Sequence, residues 1–454
     1  MNSQLLNISI VDGRYRHKLE KLSGFFSEYA LILYRLKVEI SYLLFLCNKA
    51  GIFRKISAQE NNLLQHLILN FNLKEAEKVK AWEQKTNHDV KAIEYYLSEK
   101  LEQTTLKDLR KYIHFGLTSY DTNTIAYALI LKESREAVLL PELKTLIKKL
   151  KKKVSETKDY LMLARTHGQP ALPTTMGKEL AVYLNRLNKF MTEIENHQFE
   201  AKLNGAVGNY SALSFSFPAK NWLRLTGNFI GSLGLVTNEL TTQILPYDNW
   251  LAYLELIKRL NYVLAGFCQD IWWYISFEYF LQLKKKSEVG SSTMAQKINP
   301  IYFENAEGNL LAAGSMFEFF CRKLSSSRLQ RDLTDSTVKR NFGYVFGLTL
   351  LGWNNISRGL ELLQPNKVKL AQDLSGHWEI MAEGVQIYLK KYGLDRAFNI
   401  VKEKFRGKVL DRDGYYRIID QLDISQDHKN ALKLNDLGEY AGLTDKLVDL
   451  VLKS

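Results

Sequence analysis

No proline interrupts the first 140 residues of this chain; the seven prolines fall at 141, 170, 173, 218, 246, 300 and 365. Proline removes a backbone donor and clashes with the preceding helical turn, so its absence leaves room for long uninterrupted helices. The apolar pattern fills that room. From Leu256 onward, Leu260, Val263, Phe267, Ile271 and Tyr274 recur at steps of three or four. Leu264, Trp272, Trp273, Ile275 and Phe277 occupy the other faces, so this helix is apolar nearly all round and belongs in the middle of a bundle or at a subunit interface. Residues 174–203, 219–239, 305–323 and 343–363 read as further long helices, strand-like alternation is scarce, and no repeat stands out. The pattern predicts an all-α fold. Lys107-Asp108-Leu109-Arg110-Lys111 breaks the apolar rhythm and Pro365-Asn366 follows a helical run, so three sections are expected, at 1–111, 112–364 and 365–454.

With 46% hydrophobic and 24% charged residues over 454 positions, the composition is that of an ordinary globular protein and excludes a disordered one. The most apolar stretches, near 29–53 and 261–283, carry Arg35, Lys37, Glu39, Asp270 and Glu278, which argues against membrane spans and a membrane partner. The start MNSQLLNISIVDGRYRHK lacks the basic-then-apolar order of a secretory leader. Cys47, Cys268 and Cys321 are too few and too scattered for a disulfide framework or a zinc site, so a reducing, cytoplasmic setting is expected. The net charge of +13 favours an acidic partner, whether nucleic acid, anionic membrane or a polyanionic small substrate. Its densest run, Lys148 to Lys153, reads as a solvated helix face before a nucleic-acid patch.

Chemistry is sought where Gly, Ser, His and Asn sit between helices. The segment Gly290-Ser291-Ser292-Thr293-Met294-Ala295-Gln296-Lys297-Ile298-Asn299-Pro300 reads either as a plain flexible loop or as a lid that brings a hydroxyl and a cation onto a bound anion. In Arg165-Thr166-His167-Gly168-Gln169-Pro170, a polar break between helices, the histidine is a candidate acid or base, or a structural loop histidine. Thr86 or Asn87 suits the N-cap of a helix through Ile93, Tyr96 and Leu97, and Thr118-Ser119 could be a cap or an anion-binding turn. Arg328 to Arg340 reads as a phosphate or carboxylate clamp, or as a surface ion-pair network with Asp332 and Asp335. No Walker loop, GxGxxG or HExxH is present.

Taken together, these blocks resemble the fumarase/aspartase superfamily. The GSSxMxxKxNP segment at 290–300 is its fingerprint, joined by VDGRY at 11–15, TNHDVKAIEYYL at 86–97, RTHGQPALPTTMGKEL at 165–180, NGAVGNYSA at 204–212, FENAEGNL at 303–310 and QRDLTDSTVKR at 330–340. Within the superfamily the chain is most similar to the long bacterial type of the adenylosuccinate lyase family. The resemblance implies a three-section fold with a long central helical bundle, a homotetramer whose active sites form where three subunits meet, and loss of fumarate from adenylosuccinate and its imidazole-carboxamide analogue SAICAR in purine synthesis. It implies no metal, no organic cofactor and no nucleic-acid partner. Carried over residue by residue, it makes Ser291 the base and His167 the acid, with Glu304 orienting that histidine and Lys297 and Asn299 stabilising the carbanion. Arg14, Tyr15, Arg331, Ser336, Thr337 and Arg340 resemble phosphate and nucleotide contacts. Asn87, His88, Asp89, Thr118, Ser119, Gln243, Ser292 and Asn305 resemble the remaining substrate contacts.

The chain departs from the family at four positions. Ala295-Gln296 replaces Pro-His, Tyr120 replaces a glutamate, and Tyr302 replaces an aspartate. Losing the loop proline adds backbone freedom to an open lid. The rival readings are another lyase of the superfamily, a basic helical nucleic-acid-binding protein and a catalytically silent relative. The VDGRY and DLTDSTVKR blocks speak against the first, and the retained His167, Ser291 and Lys297 against the last.

Overall fold

In the computed structural model, the described residues are 4–283, 294, 296–394 and 396–453. Long helices dominate, as the periodicity predicts: Glu28–Asn48, Ser119–Ser134, Leu140–Glu156, Met176–Asn196, Asp248–Ser276, Ile301–Leu324 and Phe342–Leu362 are the longest among the described residues. None is long and apolar enough to cross a membrane. The chain divides into two compact units, Met1–Leu143 with Met191–Tyr262 and Asn309–Gly352, and Lys144–Phe190 with Val263–Gly308 and Trp353–Ser454.

In the first unit, Ile32, Leu36, Ile40 and Leu43 of the Glu28–Asn48 helix pack with Leu64, Val79, Ile93, Leu97, Leu101 and Leu109 into one apolar core. Burying side chains of this size is worth about 1.5–3 kcal/mol each before entropy is counted, which is what fixes the short helices of this section around the longer one. Two charged residues sit inside that helix with almost no exposure, Arg35 and Glu39. Each is met by a partner from another helix or loop, described below.

In the second unit, Leu374, Trp378, Met381, Val385, Phe405, Tyr415, Ile419 and Leu437 form the C-terminal core, and Leu163 inserts into it. Leu163 belongs to an antiparallel hairpin, Leu161–Thr166 with Gln169–Thr175. That hairpin is the main departure from the expected architecture, which placed 165–170 in a break between helices. Pro170 and Pro173 and the lack of alternation hide the second strand, because proline is tolerated in a strand only where its missing donor faces no neighbour. The register shifts between Leu163 and Arg165, a bulge that lets the ladder absorb both prolines.

Two helix spans are shorter than the periodicity suggests. The run 174–203 ends at Asn196, after which Glu200–Ala201 pairs in parallel with Val236–Thr237. The run 219–239 is helical only over Trp222–Ser232, and Gly234, at φ +71°, turns the chain out of it. Pro365-Asn366 behaves as expected: Asn366 caps Lys367–Ser375, its side chain accepting from Lys369 N–H. The lysine run lies on the Leu140–Glu156 helix, where Lys149 pairs with Glu361 at 2.8 Å and Lys153 with Glu156 at 2.8 Å. The Asp248–Ser276 helix is not covered all round within the chain, since Trp272 and Trp273 are 39% and 54% exposed.

Candidate active site

The first unit gathers most of the residues that resemble substrate contacts. Asn87 does not cap the helix that follows it. It closes the preceding helix Leu73–Thr86 in a left-handed conformation, φ +51°, and His88 takes the N-cap of Asp89–Leu101, with Nδ1 accepting from Lys91 N–H at 3.1 Å. The expected cap is therefore displaced by one or two residues, because an asparagine tolerates the left-handed turn that separates the helices. Asp89, on the first turn, pairs with Arg35 at 2.6 Å and lies 3.6 Å from Arg340. Burial acts to raise its pKa, but Arg35 and the Val90 N–H outweigh burial and hold the carboxyl below its ordinary value.

Arg331 donates to Gln243 Oε1 at 2.8 Å, and Gln243 Nε2 donates to Ala206 O at 2.9 Å. This ties the 330–340 block to the NGAVGNYSA block. Gly208 makes that approach possible: its φ is +84°, and a Cβ there would lie 2.1 Å from Thr241 O. The helix Thr334–Lys339 carries Ser336 and Thr337 and is followed by Arg340. Arg14 and Tyr15 lie in the turn just before the helix Arg16–Phe26, the guanidinium 5.7 Å from the tyrosine ring. A cavity of about 300 Å³ lined by Asp12, Arg16, Ser23, Arg340 and Asn341 adjoins them.

Thr118 is the N-cap of Ser119–Ser134, and Asp121 reaches back to Thr118 N–H at 2.9 Å. The hydroxyl pair is thus placed by a cap, as the capping reading expects. The loop before it is held by His114, whose Nδ1 lies 2.7 Å from Glu39 Oε1. Burial works against the imidazolium, yet Glu39, helped by Glu94 and Asp121, raises the His114 pKa above its ordinary value. A raised folded-state pKa gives stability that is complete below the unfolded value, about 6.5, and is lost as pH climbs through the folded value. The advantage of the wild type over His114→Asn, which tolerates the same positive φ of 60°, should therefore shrink between pH 6 and pH 9 in urea titrations. A pH-independent difference would count against the ion pair.

In the second unit His167 stands at the hairpin tip. Thr166 pairs with Gln169, leaving a two-residue loop in which His167 and Gly168 have φ of +51° and +74°. Both signs are those of a type I′ turn, whose twist matches the strands. The imidazole is exposed and, among the described residues, has no hydrogen-bond partner. A cavity of about 510 Å³, lined by Arg165, Gly168, Glu179, Asp270, Trp273 and Tyr279, opens beside it. Glu304, on the first turn of Ile301–Leu324, accepts from Trp272 Nε1 at 3.2 Å and makes no bond to His167 within the chain. Asn305 Oδ1 accepts from Asn355 Nδ2. Lys297 is exposed and Asn299 half-buried just before that helix. Ser291, Ser292 and Ala295 lie outside the described residues. Among the described residues no group of three or more His, Cys, Asp or Glu side chains is placed to hold a metal ion.

The fold has close relatives among solved structures: a fumarate lyase from Mesorhizobium sp. BNC1 (TM-score 0.75, 18% identity, 96% of this chain and 98% of that one) and a β-carboxy-cis,cis-muconate cycloisomerase from Acinetobacter calcoaceticus (TM-score 0.73, 17% identity, 96% and 97%). At such identities they establish the fold alone. The family description "Lyase" matches residues 13–313, and "Adenylosuccinate lyase C-terminal" matches 327–441. Curated adenylosuccinate lyases from Legionella pneumophila (strain Corby) and Buchnera aphidicola are 43% and 41% identical, covering 97% and 99% of this chain and 97% and 98% of their own lengths. The chain belongs to the adenylosuccinate lyase family. It is a lyase. The adenylosuccinate lyase of Escherichia coli K12, at 38% identity over 98% of this chain, belongs to the same set.

Several ionisable groups of the first unit show their roles only once their partners are placed. Lys339, Tyr247 and Asp335 form a buried network behind Arg331, and Lys202 pairs with Asp121 at 2.8 Å with neither side chain exposed. Arg35 and Glu39 were visible only as charges inside an apolar run, and that was their signal: an ionisable residue on a buried face is almost always paired.

Proposed function

We propose that this lyase eliminates fumarate from adenylosuccinate, giving AMP, and from SAICAR, giving AICAR, in purine nucleotide biosynthesis. The observation that supports the substrate reading is the grouping in the first unit of Arg331 on Gln243, Arg340 beside Asp89, His88 at the N-cap before Asp89, and Ser336 on the short helix ahead of Arg340, groups suited to a phosphorylated dicarboxylate. Full-length identity above 40% to adenylosuccinate lyases supports the same substrate.

The chemistry removes a proton from the carbon beside a succinyl carboxylate and breaks the C–N bond, while the departing nitrogen receives a proton. Ser291 takes the first proton and His167 supplies the second. The intermediate carries extra negative charge on the carboxylate, which Lys297 and Asn299 stabilise. A serine hydroxyl is a weak base, so Ser291 can take that proton only with positive potential gathered around it. Glu304 orients His167 from another copy of the chain, which agrees with the absence of a bond between them inside one chain. The homotetramer this needs is supported by apolar side chains left exposed, Tyr262, Leu311 and Phe319 in one unit and Val182 and Trp273 in the other. A three-section organisation at 1–111, 112–364 and 365–454, a cytoplasmic setting and action without nucleic acid complete the reading. The purified protein should release fumarate and AMP from adenylosuccinate in a continuous absorbance assay. Absence of release from both adenylosuccinate and SAICAR would refute the assignment.

A further inference from the structure

Tyr120 stands where the family pattern has glutamate, and its surroundings give it a task of its own. The side chain is fully buried. The Arg331 guanidinium lies 4.2 Å from its ring centroid and Lys339 Nζ 4.6 Å. Lys339 donates to Tyr120 Oη at 2.9 Å, to Asp335 at 3.0 Å and to Tyr247 Oη, while Tyr247 donates to Asp335 at 2.6 Å. Lys339 is therefore fixed, with its charge answered by Asp335 and the aromatic faces of Tyr120, Tyr127, Tyr247 and Trp250. Arg331 is answered differently. Among the described residues its hydrogen-bond partner is the neutral Gln243, and no carboxylate pairs with it. A glutamate at 120 would face both cations as an ion partner. A tyrosine offers only a ring face and a hydroxyl, so Arg331 keeps its charge for a ligand while being held in place.

We propose that Tyr120 is a positioning residue: its ring, backed by Lys339, seats Arg331 so that the guanidinium meets an anionic group of the substrate remote from the bond that breaks. The inference rests on the functional reading above. A contact made equally in ground and transition states changes KM and leaves kcat alone. A desolvated cation–ring contact is worth enough to shift affinity by roughly tenfold or more. Phenylalanine keeps the ring, and leucine keeps bulk without a π face.

The test measures kcat and KM for fumarate release from adenylosuccinate by the full-length wild type, Tyr120→Phe and Tyr120→Leu. AMP binding to the same proteins is followed by calorimetry, and melting temperatures are recorded. Tyr120→Phe is expected to stay within about threefold of wild type in KM. Tyr120→Leu should raise KM, and weaken AMP, by about tenfold or more with kcat within about threefold. Equal KM shifts in both variants would overturn the role of the ring, as would a loss confined to kcat. If the wild type releases no fumarate yet binds AMP, the functional reading fails and the AMP series still decides the seating of Arg331. A wild type that does neither overturns both.

Discussion

Replacing His167 by alanine lowers kcat for fumarate release by about 10²–10⁴-fold, the range of a positioned general acid, with little change in melting temperature. The structure separates two explanations for such a loss. His167 sits at φ +51° in a two-residue turn, a conformation costing a non-glycine residue roughly 1 kcal/mol or more. The substitution could therefore disturb the turn instead of the chemistry. His167→Asn distinguishes them, since asparagine accepts the left-handed region and cannot serve as an acid near neutral pH. If His167 is the proton donor, the asparagine and alanine variants are equally slow. If asparagine restores the rate, the histidine matters only as a turn former. The strain itself points to function: a bulky ring held exposed at a hairpin tip, with no hydrogen-bond partner among the described residues, persists only where the surrounding hairpin fixes it. Leu163, the last residue paired before the bulge and buried in the C-terminal core, is what fixes that hairpin.

The helical architecture was legible because it repeats. Steps of three and four around Leu260 or Ile93 carry their own period, and burying one stripe decides the element regardless of neighbours. The hairpin was not legible, since its second strand contains two prolines and its first is stabilised by a core more than 200 residues away in sequence, a long-range term no local pattern encodes. The site divides the same way. His167, Arg331 and Lys297 announce themselves by residue type in polar segments, whereas Lys339, Arg35 and Lys202 look like ordinary members of helical or loop runs until their partners are placed. Tyr120 is the instructive case. By resemblance it is a departure from a carboxylate. In three dimensions it is a buried platform beneath two cations, and only the second description predicts what its removal does.

The largest stability loss in the first unit is expected for Asp121→Ala. Both carboxylate oxygens are buried and fully used: Thr118 N–H at 2.9 Å, Asn204 N–H at 3.1 Å, Gly205 N–H at 3.2 Å and Lys202 Nζ at 2.8 Å. Lys202 is equally buried, and burial pulls its pKa below the ordinary value against the attraction of Asp121. Truncating the aspartate strands an ammonium whose remaining hydrogen-bond acceptor, among the described residues, is Gly205 O at 3.0 Å. Breaking a buried pair from one side costs about 3–5 kcal/mol, and the lost cap adds about 1 kcal/mol. Against a usual reserve of about 5–15 kcal/mol that is a large fraction, visible as a much lower urea midpoint. The double variant Asp121→Asn with Lys202→Met removes both charges and should recover much of that loss. Substrate affinity should not recover with it. Asp121 also sets the turn that presents Thr118 and Ser119, and asparagine cannot accept from all three backbone donors while turning its amide nitrogen toward any one of them. Stability and KM therefore separate in the double variant. If Asp121→Ala unfolds within about 1 kcal/mol of wild type, the buried pair is not what holds this turn, and the link from Lys202 to the hydroxyl pair is wrong.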